Sequence, residues 1–234
     1  MEAISTGLLV SDEQRGEFRQ SATELAAINI PSVIAGSISE IDNHSAIVAA
    51  TTLMEASDIV FSLGVFWTEK WDRQNKHEKA LRTRQGFAVG HIATAGAGVM
   101  LGVNDIVQGN EPSAGNLWVS SAVIGASALS LCLDRIREKR RIKADGGSVV
   151  QEQNHQEVFH GLNMEFVKDM KKTNIAEVGG GMLAVVSQKY VGMDNGAALF
   201  TIGGSLGVIG IMARNFVRQG RVYNKLAHHI TTNK

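Results

Sequence analysis

Cysteine is almost absent from this sequence, and other shortages are equally informative. Cys132 is the only cysteine, so no disulfide can form within one chain, and its apolar surroundings suggest packing rather than chemistry. Net charge is zero and there is no basic tail, so nothing indicates a nucleic-acid partner. No nucleophile is paired with a base as hydrolytic or redox catalysis requires, so we do not expect an enzyme. Residues 11–20 are polar, and we expect no cleavable signal peptide.

Charged residues are missing from three long stretches of the chain. No Asp, Glu, Lys or Arg occurs from Gln85 to Asn104, from Pro112 to Leu133 or from Asn195 to Ala213. Each stretch is close to the ~20 residues that a helix needs to cross the ~30 Å hydrocarbon core of a bilayer. We therefore predict an all-α integral membrane protein that lies in a lipid bilayer. The alternative is a soluble helical domain rich in Gly and Ala.

The pattern predicts about six transmembrane helices in one domain. We assign residues 1–22 to a polar N-terminal segment, 23–216 to the transmembrane domain and 217–234 to a cytoplasmic tail. A weak apolar stretch at 25–38, interrupted by Asn29 and Pro31, could be a kinked or re-entrant first helix. We predict the second to sixth helices at 45–67, 85–104, 112–133, within 166–190 and at 195–213. The cytoplasmic connection between the fourth and fifth helices is predicted at 135–170.

Basic residues are concentrated after the second, fourth and sixth predicted helices. These three groups begin at Lys70, Arg135 and Arg214, whereas the remaining connections contain few or no basic residues. Basic loops of membrane proteins stay in the cytoplasm. The distribution therefore predicts a multi-pass protein with both termini in the cytoplasm.

Two carboxylates interrupt the second predicted helix. Glu55 and Asp58 lie among apolar residues, and a charge near the bilayer centre costs about 2.5–3.5 kcal/mol even on the most lenient insertion scale. Thr51 and Met54 share their side of the helix, which thus offers two carboxylates, a hydroxyl and a thioether. We interpret these residues as an ion-binding or proton-binding face. The alternative is that Glu55 reaches the membrane surface and Asp58 caps a kink.

A second carboxylate of this kind, Glu177, precedes the glycine run Gly179–Gly181. Thr173 lies one turn earlier on the same side of the fifth predicted helix. If that helix begins after Glu177, the residue is only interfacial. His91 in the third helix could join a proton path or bind a metal, but a lone histidine more often hydrogen bonds within a core, so we leave it out of the predicted ligand set.

The order of these features resembles the transmembrane domain of the cation diffusion facilitator family of divalent-cation/proton antiporters. The stretch from Ser45 to Asp58 resembles the family's second helix, including its Ser-Asp end. Four shorter stretches add to the resemblance. His77–Ala88 corresponds to the family's basic loop and Asn104–Ile106 to the end of its third helix. Asn110–Pro112 corresponds to the loop that follows, and Asp194–Leu199 to the opening of the sixth helix. The polar connection that contains His155 and His160 corresponds to the family's histidine-bearing connection. In all, the similarity covers roughly residues 25–220.

The metal-site motifs depart from the family pattern. The family pairs a His-or-Asp-x-x-x-Asp motif on helix two with His-x-x-x-Asp on helix five. Here these positions hold Met54-x-x-x-Asp58 and Thr173-x-x-x-Glu177. Only Asp58 and Glu177 are good ligands for zinc among these four. The family's cytoplasmic metal-binding domain would begin where this sequence ends.

The resemblance implies an antiporter that exchanges a divalent cation such as zinc, iron or manganese for protons. In this prediction Asp58 and Glu177 bind the ion or proton, helped by Glu55, Met54 and Thr173. The resemblance also implies a homodimer or a membrane complex. Two alternatives remain: a transport-inactive membrane scaffold or assembly subunit that kept the fold, and another metal transporter fold that shares only the hydropathy pattern.

Overall fold

Long helices make up the described part of the chain. The computed structural model describes residues 11–43, 46–108, 129–130, 132–133, 136–137, 139–140, 155–193 and 196–232. Five helices are defined in it: α1 Asp12–Asn43, α2 Ala46–Arg73, α3 His77–Gln108, α4 His155–Val191 and α5 Gly196–Thr232. No strand occurs in these ranges, and the described residues between 129 and 140 are also helical. The prediction of an all-α fold is confirmed.

Local sequence signals explain where the helices begin and turn. At the start of α1 the hydroxyl of Ser11 accepts a hydrogen bond from the backbone N–H of Gln14, and the Gln14 side chain accepts one from the backbone N–H of Ser11. This reciprocal pair is a capping box. Between α2 and α3 the chain reverses over three residues, with Asn75 at a φ of 56°. Asparagine tolerates this left-handed conformation better than most residues.

The first helix is continuous where the sequence suggested a break. α1 contains Pro31 within its 32 residues and crosses the predicted boundary at residue 22. Asn29 is fully buried, and its amide donates to the backbone carbonyl of Leu25 at 3.1 Å. The amide N–H of Asn29 is therefore satisfied within the helix, and one proline removes only one helical donor.

α1, α3 and α4 begin at one end of the bundle, and α2 and α5 end there. α2 contacts α1, α3 and α4, while α5 packs against α3 and α4. A hydrogen bond of 2.7 Å between Arg84, near the start of α3, and Gln219, near the end of α5, brings these two ends together. Arg19 and Glu69 join the start of α1 to the end of α2 in the same way. We call this end of the bundle the basic end, because it carries basic residues from the end of α2, the start of α3 and the second half of α5.

Helices α4 and α5 are longer than the predicted spans. α4 begins at His155, within the predicted cytoplasmic connection, and α5 continues to Thr232, within the predicted tail. A helix of 37 residues is about 55 Å long, well above the ~30 Å of a bilayer core. Both helices can therefore project beyond a membrane at the basic end. The fourth predicted span, 112–133, lies almost wholly outside the described residues.

Apolar side chains are exposed on the outside of the bundle, whereas many polar ones are buried. Ile34, Met100 and Val107 are 55%, 75% and 80% exposed, yet Asp58 and Arg84 are fully buried. Water-soluble proteins place these residue types the other way round. Two segments, His77–Asn104 and Ala198–Lys225, are long and apolar enough to cross a membrane, and only 29% and 33% of their most apolar windows are buried. These two segments support association with a membrane.

A close helix crossing fixes the position of α4 against α5. A Cβ atom added at Gly180 would lie 2.8 Å from the carbonyl oxygen of Phe200, and one added at Gly204 would lie 2.7 Å from that of Ala176. Both distances are shorter than a side chain tolerates, so the backbones meet at this point only because both residues are glycine. Glu177 follows Ala176 and is therefore held beside this crossing.

Candidate metal centre

Three helices each bring one potential ligand to the same point in the bundle. Asp58 comes from α2, His91 from α3 and Glu177 from α4, and one ligand atom of each lies within 4.8 Å of the others. Nε2 of His91 is 3.1 Å from Oδ1 of Asp58 and 3.5 Å from Oε1 of Glu177. All three side chains are buried, with 0–3% of each residue exposed. The edge of the Phe61 ring closes one side of the imidazole, with the ring centroids 5.7 Å apart.

These separations suit a bound metal ion. Two ligand atoms that are each about 2.1 Å from one ion and at the tetrahedral angle lie about 3.4 Å apart. The distances from Nε2 of His91 to the two carboxylates are close to this value. One imidazole nitrogen and two carboxylates form a donor set that suits zinc, iron or manganese, and it contains no thiolate that would favour a softer metal.

The hydrogen bonding of the cluster is incomplete. Both carboxylate oxygens of Asp58, both of Glu177 and Nε2 of His91 are buried without a well-aligned hydrogen-bond partner in the described chain. Buried polar atoms nearly always have such a partner, so each exception calls for an explanation. Here the exceptions share one place and converge on one point. Coordination of a cation, or binding of protons, would satisfy all of them.

Glu55 adds a third acidic group beside the cluster. It is 1% exposed, its charge interacts with those of Asp58 and Glu177, and it forms a hydrogen bond with Ser32 of α1. Glu55 therefore adds negative charge to the site without being one of the three convergent ligands. The structure brings it next to Asp58, as the sequence predicts for two acids one turn apart.

The structure places the other two predicted ligands in contacts of their own. The sulfur of Met54 accepts a long hydrogen bond of 3.9 Å from Ser205 of α5, and its methyl group lies near Gly98. The hydroxyl of Thr173 donates to the backbone carbonyl of Met170 at 2.7 Å. Both residues are buried, and their part in cation binding stays a prediction. The described side chain of His160 packs edge-on against Phe18.

His91 is the site residue that the predicted ligand set omitted. The sequence contained one signal for it, because His91 is the only titratable side chain in the charge-free stretch from Gln85 to Asn104. That signal does not distinguish a ligand from a histidine that merely hydrogen bonds in a core. Only the packing of α3 between its neighbours shows that the ring faces Asp58 and Glu177.

A second buried polar cluster lies at the basic end. Arg84 is fully buried and donates to Asp72 at 2.9 Å, to Asn163 at 2.8 Å and to Gln219 at 2.7 Å. These residues link α2, α3, α4 and α5. Asp72 follows Asp58 by about four turns of α2, so the two clusters are about 20 Å apart along the helix. The site of Asp58 is therefore well inside the bundle.

Comparison with protein-family models gives no match for this sequence, and comparison with curated proteins finds no relative.

Proposed function

We propose that this protein is a multi-pass membrane transporter, of the cation diffusion facilitator type, that exchanges a divalent metal cation for protons. In this proposal Asp58, His91 and Glu177 bind the cation, and Glu55 adds charge beside them. The observation that carries it is the convergence of three buried ligand atoms within 4.8 Å, in a bundle whose outer surface is apolar. The polar atoms left without hydrogen bonds at the same point support it further.

Charge balance explains why ion and proton movements would be coupled. The charged groups that act on Asp58 are His91, Glu177 and Glu55, so three acids and one base share a buried region. Ionised carboxylates in an apolar interior are costly unless something offsets their charge. Protons serve this purpose when no metal is bound, and a divalent cation displaces them when it binds. Alternating exposure of such a site to the two sides of a membrane exchanges metal for protons.

The position of the site fits this function. Transporters commonly bind their substrates near the middle of the bilayer. Asp58 is about 20 Å from the polar cluster at the basic end, which would place it far from the cytoplasmic surface. The ligand set differs from the family pattern, because His91 of α3 contributes the imidazole that the family takes from its second and fifth helices.

The competing candidate is a transport-inactive scaffold or assembly subunit. The departure of Met54 and Thr173 from the family's ligand motifs favours it. A scaffold, however, gains nothing from three buried acids around a histidine, whose burial costs stability. Cation binding separates the two candidates, since a scaffold should take up no stoichiometric metal that depends on Asp58.

The test is cation-driven proton movement in vesicles that contain the purified protein and a trapped pH indicator. We expect external Zn²⁺, Mn²⁺ or Fe²⁺ to make the interior more alkaline as protons leave in exchange. Asp58→Asn and Glu177→Gln each remove a charged ligand with little change of shape, so both should reduce the flux to the level of empty vesicles. Each should also weaken cation binding by more than the ~10–100-fold typical for a residue behind the ligands.

Glu69→Gln is the matched control. Glu69 is a buried acid on the same helix, but its carboxylate pairs with Arg19 and Arg73 at the basic end. This variant should keep both the flux and the affinity. A wild-type protein without cation-dependent proton flux, or a flux that survives in Asp58→Asn, would refute the transport proposal.

A further inference from the structure

Ser57 is a buried hydroxyl that contacts the back of the candidate ligand His91. Its Oγ is 2.7 Å from the backbone carbonyl oxygen of Met54 and 3.0 Å from Nδ1 of His91. Nδ1 is the ring nitrogen on the side away from Asp58 and Glu177, which face Nε2. Ser57 therefore touches the imidazole without reaching the point where the ligand atoms converge.

The number of hydrogens decides the direction of these two hydrogen bonds. A serine hydroxyl carries one hydrogen, and a carbonyl oxygen can only accept. The short contact with Met54 uses that hydrogen, so Ser57 must accept the hydrogen on Nδ1 of His91. The opposite tautomer would present a lone pair at Nδ1, to which a hydroxyl whose hydrogen goes to Met54 cannot donate. The tautomer with hydrogen on Nδ1 satisfies Ser57 and leaves the Nε2 lone pair facing the carboxylates.

We propose that Ser57 is a positioning residue that holds His91 in the tautomer whose Nε2 can bind the cation. This inference rests on the proposed function. Histidine ligands of metal sites commonly donate their other ring N–H to a fixed acceptor, which sets both the tautomer and the ring orientation. Such acceptors are usually carboxylates or backbone carbonyls. Here the acceptor is a hydroxyl whose own hydrogen is held by the α2 backbone.

The experiment compares Ser57→Ala, Ser57→Thr and Ser62→Ala with the wild-type protein in detergent. Ser62 is the matched control: it is a fully buried serine on the same helix, and its hydroxyl donates to the carbonyl of Ile59 in the same manner. We expect Ser57→Ala to weaken Zn²⁺ binding about 10–100-fold in calorimetric titrations. Ser57→Thr, which keeps the hydroxyl, should restore most of the affinity, and Ser62→Ala should match the wild type.

The ring nitrogens of His91 give a readout that a general loss of stability would not change. In zinc-loaded protein labelled with ¹⁵N-histidine, His91 should carry its hydrogen on Nδ1, with its resonances identified by their loss in His91→Gln. A hydrogen on Nε2 would overturn the proposal, as would unchanged zinc affinity in Ser57→Ala. If the wild-type protein binds no Zn²⁺, the proposed function fails together with this inference. If the wild type binds and Ser57→Ala binds equally well, only the role of Ser57 fails.

Discussion

At the scale of single residues, the sequence identifies the acidic residues of the candidate site, but not the side chains on other helices that they contact. Asp58 and Glu177 stand out because a charge among apolar residues is costly and needs a purpose. Helical spacing also grouped Met54 and Thr173 with them. Spacing along one helix cannot show which neighbouring helix a side chain meets, and the structure gives these two residues contacts with Ser205 and Met170. His91 could not be selected, because its neighbours belong to two other helices.

Because a buried charge without a partner is costly, the structure also predicts the effect of breaking the buried ion pair at the basic end. Arg84 and Asp72 have side chains that are 0% and 9% exposed. Asp72→Asn leaves the guanidinium buried without a counter-charge, which typically costs about 3–5 kcal/mol. We expect thermal unfolding in detergent to show a fall in Tm of roughly 10 °C or more.

The exposed pair of Arg82 and Glu78 on the same helix provides the control. Its side chains are 77% and 60% exposed, and surface pairs contribute less than about 1 kcal/mol. Glu78→Gln should therefore leave Tm nearly unchanged. Equal losses in Glu78→Gln and Asp72→Asn would show that burial does not set the strength of the Arg84 pair.

At the scale of helices, the charge-free stretches predict which parts of the chain are apolar, but not where each helix ends. α3 contains the charge-free stretch at 85–104, and α5 contains residues 196–213 of the one at 195–213. Both helices extend well beyond these stretches at the basic end. Helices of a bundle can continue into water because their backbone bonds are internal. Hydropathy identifies only the apolar part of such a helix. The close crossing of α4 and α5 could not be predicted from the sequence either, since glycine is frequent in membrane helices whether or not it lies at a contact.

That crossing predicts different outcomes for two adjacent glycines of α5. Gly204→Ala would press a methyl group against the carbonyl oxygen of Ala176, which belongs to backbone and cannot turn away. Overpacking of this kind typically costs about 1–3 kcal/mol. Gly203→Ala meets nothing within 4 Å, and alanine favours a helix by up to about 1 kcal/mol over glycine. We expect thermal unfolding to show a lower Tm for Gly204→Ala and an equal or higher one for Gly203→Ala. The reverse order would exclude this crossing.

At the scale of the whole molecule, the described part of the chain exposes apolar side chains such as Met100 and Val107 and buries charged ones such as Asp58 and Arg84. The basic residues after α2 and those near the end of α5 lie at the same end, as the contact between Arg84 and Gln219 demonstrates. The sequence predicted that both groups lie on one side of a membrane, but only from the positive charge of the connections. The packing shows that the two groups lie at one end of the bundle, and the side of the membrane stays a prediction. The number of spans stays a prediction, because much of the chain between α3 and α4 lies outside the described residues.

This arrangement predicts which end of the bundle faces the cytoplasm. Arg82, at the basic end, and Val107, at the opposite end of α3, are both well exposed. In a protein whose Cys132 is replaced by serine, we introduce Arg82→Cys or Val107→Cys and treat intact bacterial cells with a maleimide that cannot cross membranes. Because basic segments stay in the cytoplasm, only Val107→Cys should react. After permeabilisation both variants should react, which controls for accessibility. Labelling of Arg82→Cys in intact cells would show that the basic end faces the outside. A protein that stays in solution without detergent would show that it is not inserted in a membrane.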